Sequence, residues 1–126
     1  MLHSKDLNFS FSGLKTAVLY FLRDNQKISK ADVGASFEQA VVDVLVKKTL
    51  EAVKIYKPKT VALGGGVAAN SRLRQEFSKR LNVLLPEKKF TGDNAAMIAV
   101  AGYYRWKARK FVKNHENLRA VGNLKL

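Results

Sequence analysis

The chain has 126 residues, 47% of them hydrophobic, so it is one domain or a piece of a larger one with enough apolar side chains for a core, and global disorder is excluded. It has no cysteine, which removes disulfides, thiolate metal sites and a cysteine nucleophile, and no apolar run approaches the ~20 residues of a membrane span. The net charge of +13 is uneven: residues 1–53 carry seven Lys and Arg against six Asp and Glu, and residues 54–126 carry sixteen against four, a net of +12 that points to a polyanionic partner.

The alternation Asn8-Phe9-Ser10-Phe11-Ser12 predicts a half-buried strand ended by Gly13. Leu14 to Arg23 then reads as a helix with Leu14, Val18, Phe21 and Leu22 on its apolar side. Asp6, Lys15 and Arg23 interrupt the first 25 residues, which speaks against a secretory signal and for a cytoplasmic protein with no membrane partner. After a polar connection, Ser29 and Asp32 fit the capping pattern [ST]-x-x-[DE] and open the longest helix, Lys30 to Tyr56. Phe37, Val41, Val44 and Leu45 mark one of its faces, and Val42, Val46, Leu50 and Val53 another. Cover on more than one side is therefore expected.

Behind the helix-stopping Pro58, Thr60 to Leu63 is a short apolar run with two β-branched residues and predicts a buried strand. Gly64, Gly65 and Gly66 follow at once, then Asn70 as an N-cap, then Leu73, Phe77 and Leu81 at helical spacing. Val83 to Leu85 predicts a second strand closed by Pro86, and Glu87-Lys88-Lys89 a solvated turn. The small apolar run from Ala95 to Tyr104 predicts a helix pressed against a sheet, with Arg105, Lys107, Arg109 and Lys110 suiting its negative end. Weak periodicity beyond residue 110 suggests a basic extension over 111–126. The order helix, strand, helix, strand, helix implies an α/β layer with parallel strands and packed helices. So small a sheet covers these helices poorly, and the chain is expected to associate with itself or with a missing portion.

Strand, glycine turn and helix together aim backbone N–H groups and a positive helix end at one spot, which suits a phosphate. Ligand-free turns of this kind are also common, although one glycine suffices for a tight turn and three stand here. Asp93, at the start of a helix and just past a glycine, is placed for a metal ligand or equally for an N-cap. His3 and His115 lack partners at ligand spacing, so a zinc site made by this chain alone is not expected. Ser10 and Ser12 have no histidine to activate them, and no P-loop occurs. One rival reading remains: Gly64-x-Gly66-x-x-Ala69 satisfies the dinucleotide fingerprint, with Glu87 about 20 residues on.

Three segments carry a resemblance. Phe9-Ser10-Phe11-Ser12-Gly13-Leu14-Lys15-Thr16, Gly64-Gly65-Gly66-Val67-Ala68-Ala69-Asn70-Ser71-Arg72-Leu73-Arg74 and Asp93-Asn94-Ala95-Ala96-Met97-Ile98-Ala99 stand in the order and spacing of one family. Over residues 2 to about 108 the sequence closely resembles the C-terminal part of the tRNA adenosine threonylcarbamoyltransferases, once called O-sialoglycoprotein endopeptidases. The resemblance implies an actin/Hsp70-like ATPase-type fold, of which residues 1–110 would be a partial C-terminal lobe. It implies transfer of threonylcarbamoyl from an adenylate donor to an adenosine beside the tRNA anticodon, with tRNA and other subunits of the transfer complex as partners. Asn70 resembles the family's nucleotide-contacting asparagine, Gly64 to Gly66 the turn beneath it, and Asp93 the metal-ligating aspartate. The cofactors so implied are one divalent metal, iron or zinc, and an adenylate or ATP-type nucleotide. Thr91-Gly92 stand in the reverse of the family's usual order, and the family's His-x-x-x-His metal motif belongs to an N-terminal half that is absent here.

From these features the glycine turn and Asp93 are expected to converge on one nucleotide pocket, with only one of its sides encoded in this chain. The chain alone is expected neither to hold metal tightly nor to transfer threonylcarbamoyl. A dinucleotide-binding, Rossmann-like oxidoreductase domain and a non-catalytic basic RNA-binding module stand as the alternatives. An endopeptidase finds no nucleophile–base pair.

Overall fold

The computed structural model describes residues 4, 6–112, 114–117 and 119. His3 and much of the expected 111–126 extension lie outside the described residues. The chain divides into two compact units, Met1–Gly92 and Asp93–Leu126.

In the first unit, α1 runs from Phe11 to Asp24 and α2 from Lys30 to Tyr56. The expected strand over Asn8–Ser12 is absent: Phe11 already belongs to α1, and Gly13 sits inside its first turn. The reason is that Phe11 fits two periods at once. It continues the alternation from Phe9, but it also heads the helical stripe Phe11, Leu14, Val18, Phe21, and the longer pattern prevails. Phe9 and Phe11 still meet, their rings stacked with centroids 5.7 Å apart.

At the start of α2, Ser29 Oγ accepts the Asp32 N–H at 3.4 Å, as the capping pattern predicts. The helix ends where Lys57 adopts a left-handed conformation (φ +46°) and donates its N–H to Val53 O at 2.9 Å, one residue before Pro58. Burial on two sides of α2 is also found. Val42 and Val46 pack with Leu73 and Phe77, and Leu45, Leu50, Leu63, Leu81 and Val83 close around them. Val44 and Lys48, one turn apart, are buried on another face.

Lys48 is a cation with only 2% of its side chain exposed. Its Nζ donates to Ser4 Oγ at 2.9 Å, to Asp6 O at 2.6 Å and to Asp6 Oδ1 at 3.1 Å, so a buried charge is compensated by the segment before α1. The same contact, joined by the Asn8 N–H and the Ser4 hydroxyl, holds the Asp6 carboxyl below its ordinary range.

β1 (Val61–Ala62) and β2 (Val83–Leu84) pair in parallel, with Val61 opposite Val83 and Ala62 opposite Leu84. Between them runs α3, Ser71–Arg80. This β–α–β connection is the parallel α/β arrangement read from the element order. Its sheet is only two residues deep, and the core is correspondingly small.

The second unit holds α4, Ala95–Lys107, and a short 3₁₀ turn at His115–Asn117. Arg105 and Lys107 fall in the last turn of α4, where cations suit the helix end. The helix expected from the apolar run Ala95 to Tyr104 is present as α4, and Met97, Ile98, Val100, Tyr103, Tyr104 and Trp106 along it are all more than half exposed. An apolar run reports what a helix is suited to bury; it does not supply the surface that buries it. His115 is exposed, as expected.

Candidate functional site

The glycine turn begins where the sheet stops. Leu63 donates its N–H to Leu84 O at 3.1 Å, and Gly64 follows immediately. Gly65 has φ +82° and ψ +165°, a region open in practice to glycine alone. Gly66 to Ala69 then make one 3₁₀ turn, closed by Ala68 N–H to Gly65 O and Asn70 N–H to Val67 O, both 3.0 Å. A Cβ added at any of the three glycines meets no neighbouring atom within 4 Å, but Gly64 and Gly66 differ from Gly65 in that neither has a positive φ. The backbone therefore requires one glycine here and carries three.

Asn70 is the N-cap of α3, as the sequence indicates. Its Oδ1 accepts the Leu73 N–H at 2.8 Å. With the oxygen so engaged, its Nδ2 donates across 32 residues to Glu38 Oε1 at 2.7 Å. Arg74, one turn further on, donates to Ala68 O at 3.0 Å and to Pro86 O at 2.7 Å, which bolts the turn to the exit of β2. Arg72 bonds Gln39, and Lys88 reaches Ser71 Oγ at 2.7 Å. The Asn70–Glu38 and Arg72–Gln39 bonds tie α3 to α2, and the Arg74–Pro86 and Lys88–Ser71 bonds tie it to the segment after β2.

A cavity of about 560 Å³ opens beside the turn. Gly66, Val67, Asn70 and Leu73 form one wall, Phe37, Glu38, Val41, Val42 and Leu45 of α2 the other, and Phe11 an edge. Glu38 was not found by reading the sequence, although a signal was there: it lies on the Glu38, Val41/Val42, Leu45 stripe, a carboxylate at the head of an apolar helix face.

Asp93 belongs to the second unit. The cap of α4 is its neighbour Asn94, whose Oδ1 accepts the Met97 N–H at 3.1 Å. Capping therefore does not account for Asp93, whose carboxylate is exposed with no partner among the described residues. No group of three His, Cys, Asp or Glu that could hold a metal ion occurs among the described residues, and a tightly held transition metal needs at least that many ligands. The described residues alone do not supply such a set.

The dinucleotide fingerprint fails on geometry. It needs a helix that opens directly from the glycines, whereas here a 3₁₀ turn and a capping Asn70 come first and α3 begins at Ser71. Glu87, the acid that reading requires, is exposed and paired with Lys89 at 2.9 Å. No helix among the described residues is long and apolar enough to cross a membrane.

Comparison with known proteins adds an independent finding. The family model described as tRNA N6-adenosine threonylcarbamoyltransferase matches residues 1–100. A protein of that name from Thermosipho africanus is 49% identical, covering all of this chain and 40% of the relative. One from Thermosipho melanesiensis is 57% identical over 79% of this chain and 32% of its own length. One from Lactobacillus gasseri is 45% identical over all of this chain and 39% of its own. The chain thus spans two fifths or less of the length of these relatives, and the oxidoreductase and RNA-module alternatives are not favoured.

Proposed function

Because this chain belongs to the tRNA N6-adenosine threonylcarbamoyltransferase family, with its actin/Hsp70-like fold, we propose that it is the C-terminal part of such an enzyme and forms one wall of the adenylate site. In this reading Gly64, Gly65 and Gly66 let a nucleotide phosphate approach the main chain, where the N–H groups of Gly66 and Val67 head a helical turn and have no intrahelical partner. Asn70 contributes a side-chain N–H. The apolar cavity between α2 and the turn receives a less polar part of the ligand. Asp93 supplies one ligand to the divalent metal of the whole enzyme, iron or zinc, and the remaining ligands come from the rest of the protein. Residues 1–110 belong to the catalytic lobe, and 111–126 form a basic extension.

The observation that carries this reading is the glycine excess: two of three adjacent glycines lie where the fold has room for a side chain and no need of a special φ. A close-approaching ligand accounts for them. The complete enzyme would move threonylcarbamoyl from its adenylate to an adenosine of tRNA in the cytoplasm, with tRNA drawn to the basic half and other subunits assisting. This chain alone would not complete that transfer.

The test joins the portion of the Thermosipho africanus relative that precedes the matched region to this chain, and measures threonylcarbamoyl transfer to tRNA from the adenylate. Activity that disappears with Asn70→Ala or Asp93→Ala supports the assignment. A folded chimera without activity, beside an active parent, overturns it.

A further inference from the structure

We propose that the C-terminal end of α4 is a platform for unpaired RNA bases, with Tyr103, Tyr104 and Trp106 stacking on bases while the cations of residues 105–110 neutralise the phosphates between them. The choice of RNA as partner rests on the reading above, in which the whole enzyme acts on tRNA. All three rings are more than half exposed. Tyr103 meets Tyr104 edge-on, with centroids 5.4 Å apart, and Trp106 at a tilt, with centroids 6.2 Å apart. Neither pair lies face to face, so ring faces are left for a flat ligand.

Charge supplies the second observation. Arg105, Lys107, Arg109 and Lys110 stand close together, and the nearest acids along the chain are Asp93 and Glu116. None of the four cations joins an ion pair with another described residue. The negative end of a helix is equivalent to roughly half a unit charge, so four cations exceed what it calls for. Lys107 also lies one turn beyond both Tyr103 and Tyr104, so cation and aromatic rings share a side of the helix. A helix lying on a membrane sorts them to opposite faces. A single strand, with bases and phosphates in alternation, matches them interleaved.

The backbone supplies the third. Arg109 follows the helix in a left-handed conformation, φ +53°. Its N–H bonds Trp106 O and the Lys110 N–H bonds Arg105 O, both at 2.9 Å, the two bonds of a Schellman ending. Glycine adopts that position freely, whereas a residue with a Cβ is strained in it. An arginine held where the chain favours glycine points to a use for its charge.

Trp106 is the only tryptophan in the chain, so its emission reports on this face. The full chain is titrated with an unstructured RNA of about ten nucleotides and, separately, with duplex RNA of the same length. The expected result is quenching of Trp106 by the single strand and little by the duplex, whose bases are already stacked on one another. By anisotropy of a labelled strand, Tyr104→Ala and Trp106→Ala each weaken single-strand binding about tenfold and leave duplex binding unchanged, and Trp106→Tyr restores most of the loss. Arg109→Gly raises the helix content seen by circular dichroism yet weakens both RNAs, and lowers the slope of log affinity against log salt by about 0.7 for the single strand. An arginine that only ends the helix would show the gain in helix without the loss of binding. The proposal is overturned by equal quenching from both RNAs, or by alanine variants that bind the single strand as the wild type does. It is equally overturned if phosphatidylserine vesicles quench Trp106 and RNA does not, or if Trp106→Ala abolishes self-association of the chain and leaves RNA binding untouched. The adenylate-site assignment is judged by AMP binding and by transfer in the chimera, neither of which this titration reads, so the two fail separately.

Discussion

The three glycines give a prediction that separates folding from binding. Each is replaced by alanine in turn. Gly65 has φ +82° and ψ +165°, where a Cβ collides with its own backbone, so Gly65→Ala destabilises the first unit by about 2 kcal/mol. At Gly64 and Gly66 a Cβ enters open space from an ordinary φ, and alanine has less conformational freedom to lose than glycine. Those two substitutions are therefore neutral or stabilise by about 0.5 kcal/mol. Urea denaturation followed by circular dichroism measures this. Trp106 fluorescence does not serve, since Trp106 lies in the other unit.

Binding reverses the order. If a phosphate touches the main chain at this bend, a methyl group at residue 64 or 66 stands in its way. AMP affinity then drops about tenfold or more, equivalent to about 1.4 kcal/mol, in proteins that are no less stable. Stability lost at Gly64 or Gly66 to the same extent as at Gly65 would mean that the fold itself demands all three. Stability kept together with undiminished AMP binding would mean that the glycines serve no ligand. Either result removes the observation on which the functional assignment rests.

Further predictions concern the rest of the chain. Lys57→Gly relieves a non-glycine residue held left-handed at the end of α2 and stabilises by about 1 kcal/mol in the same denaturation assay. Asp6→Ala strands the buried Lys48 ammonium with only neutral partners, whereas Lys48→Met removes the buried charge altogether. The aspartate substitution is therefore the more damaging, and urea midpoints of the two variants show the order. Because the Lys48 ammonium depresses the Asp6 pKa in the folded state, the stability it contributes is present above the ordinary aspartate value of 3.8 and is lost as pH falls through the lower folded value. Asp6→Asn flattens that acid limb in a pH series of melting curves. Metal analysis after incubation with iron or zinc finds the purified chain far below one ion per molecule, and Asp93→Ala leaves the figure unchanged.

Much of the first unit was legible because its signals are local. Ser29 with Asp32, Pro58 behind the helix that ends at Tyr56, and Asn70 behind three glycines each dictate a cap or a stop within a few residues, and each stands where the sequence put it. Phe11 was misread because two periodicities share it, and only a 14-residue helix reveals which one governs. Glu38 escaped for a different reason. Its importance comes from a partner 32 residues away, and a carboxylate on a helix reads as surface until the facing element is known. Of the two readings of Asp93, cap and ligand, only the first is decided by the structure, because the neighbouring Asn94 side chain takes the cap.

The distribution of burial also bears on the family assignment. Six hydrophobic residues among those described are buried, and four of them form one cluster joining α2 to α3. By contrast Phe9, Leu19, Tyr20 and Phe21 before or on α1, and Ile98, Tyr104 and Trp106 on α4, are exposed. A self-sufficient domain of this hydrophobic content would place most such side chains inside. α2 and the β1–turn–α3–β2 segment share that cluster, whereas α1 is apolar and buries none of its side chains fully. That division accords with a chain that spans two fifths or less of the length of its relatives, with a locally closed glycine turn beside its one buried cluster.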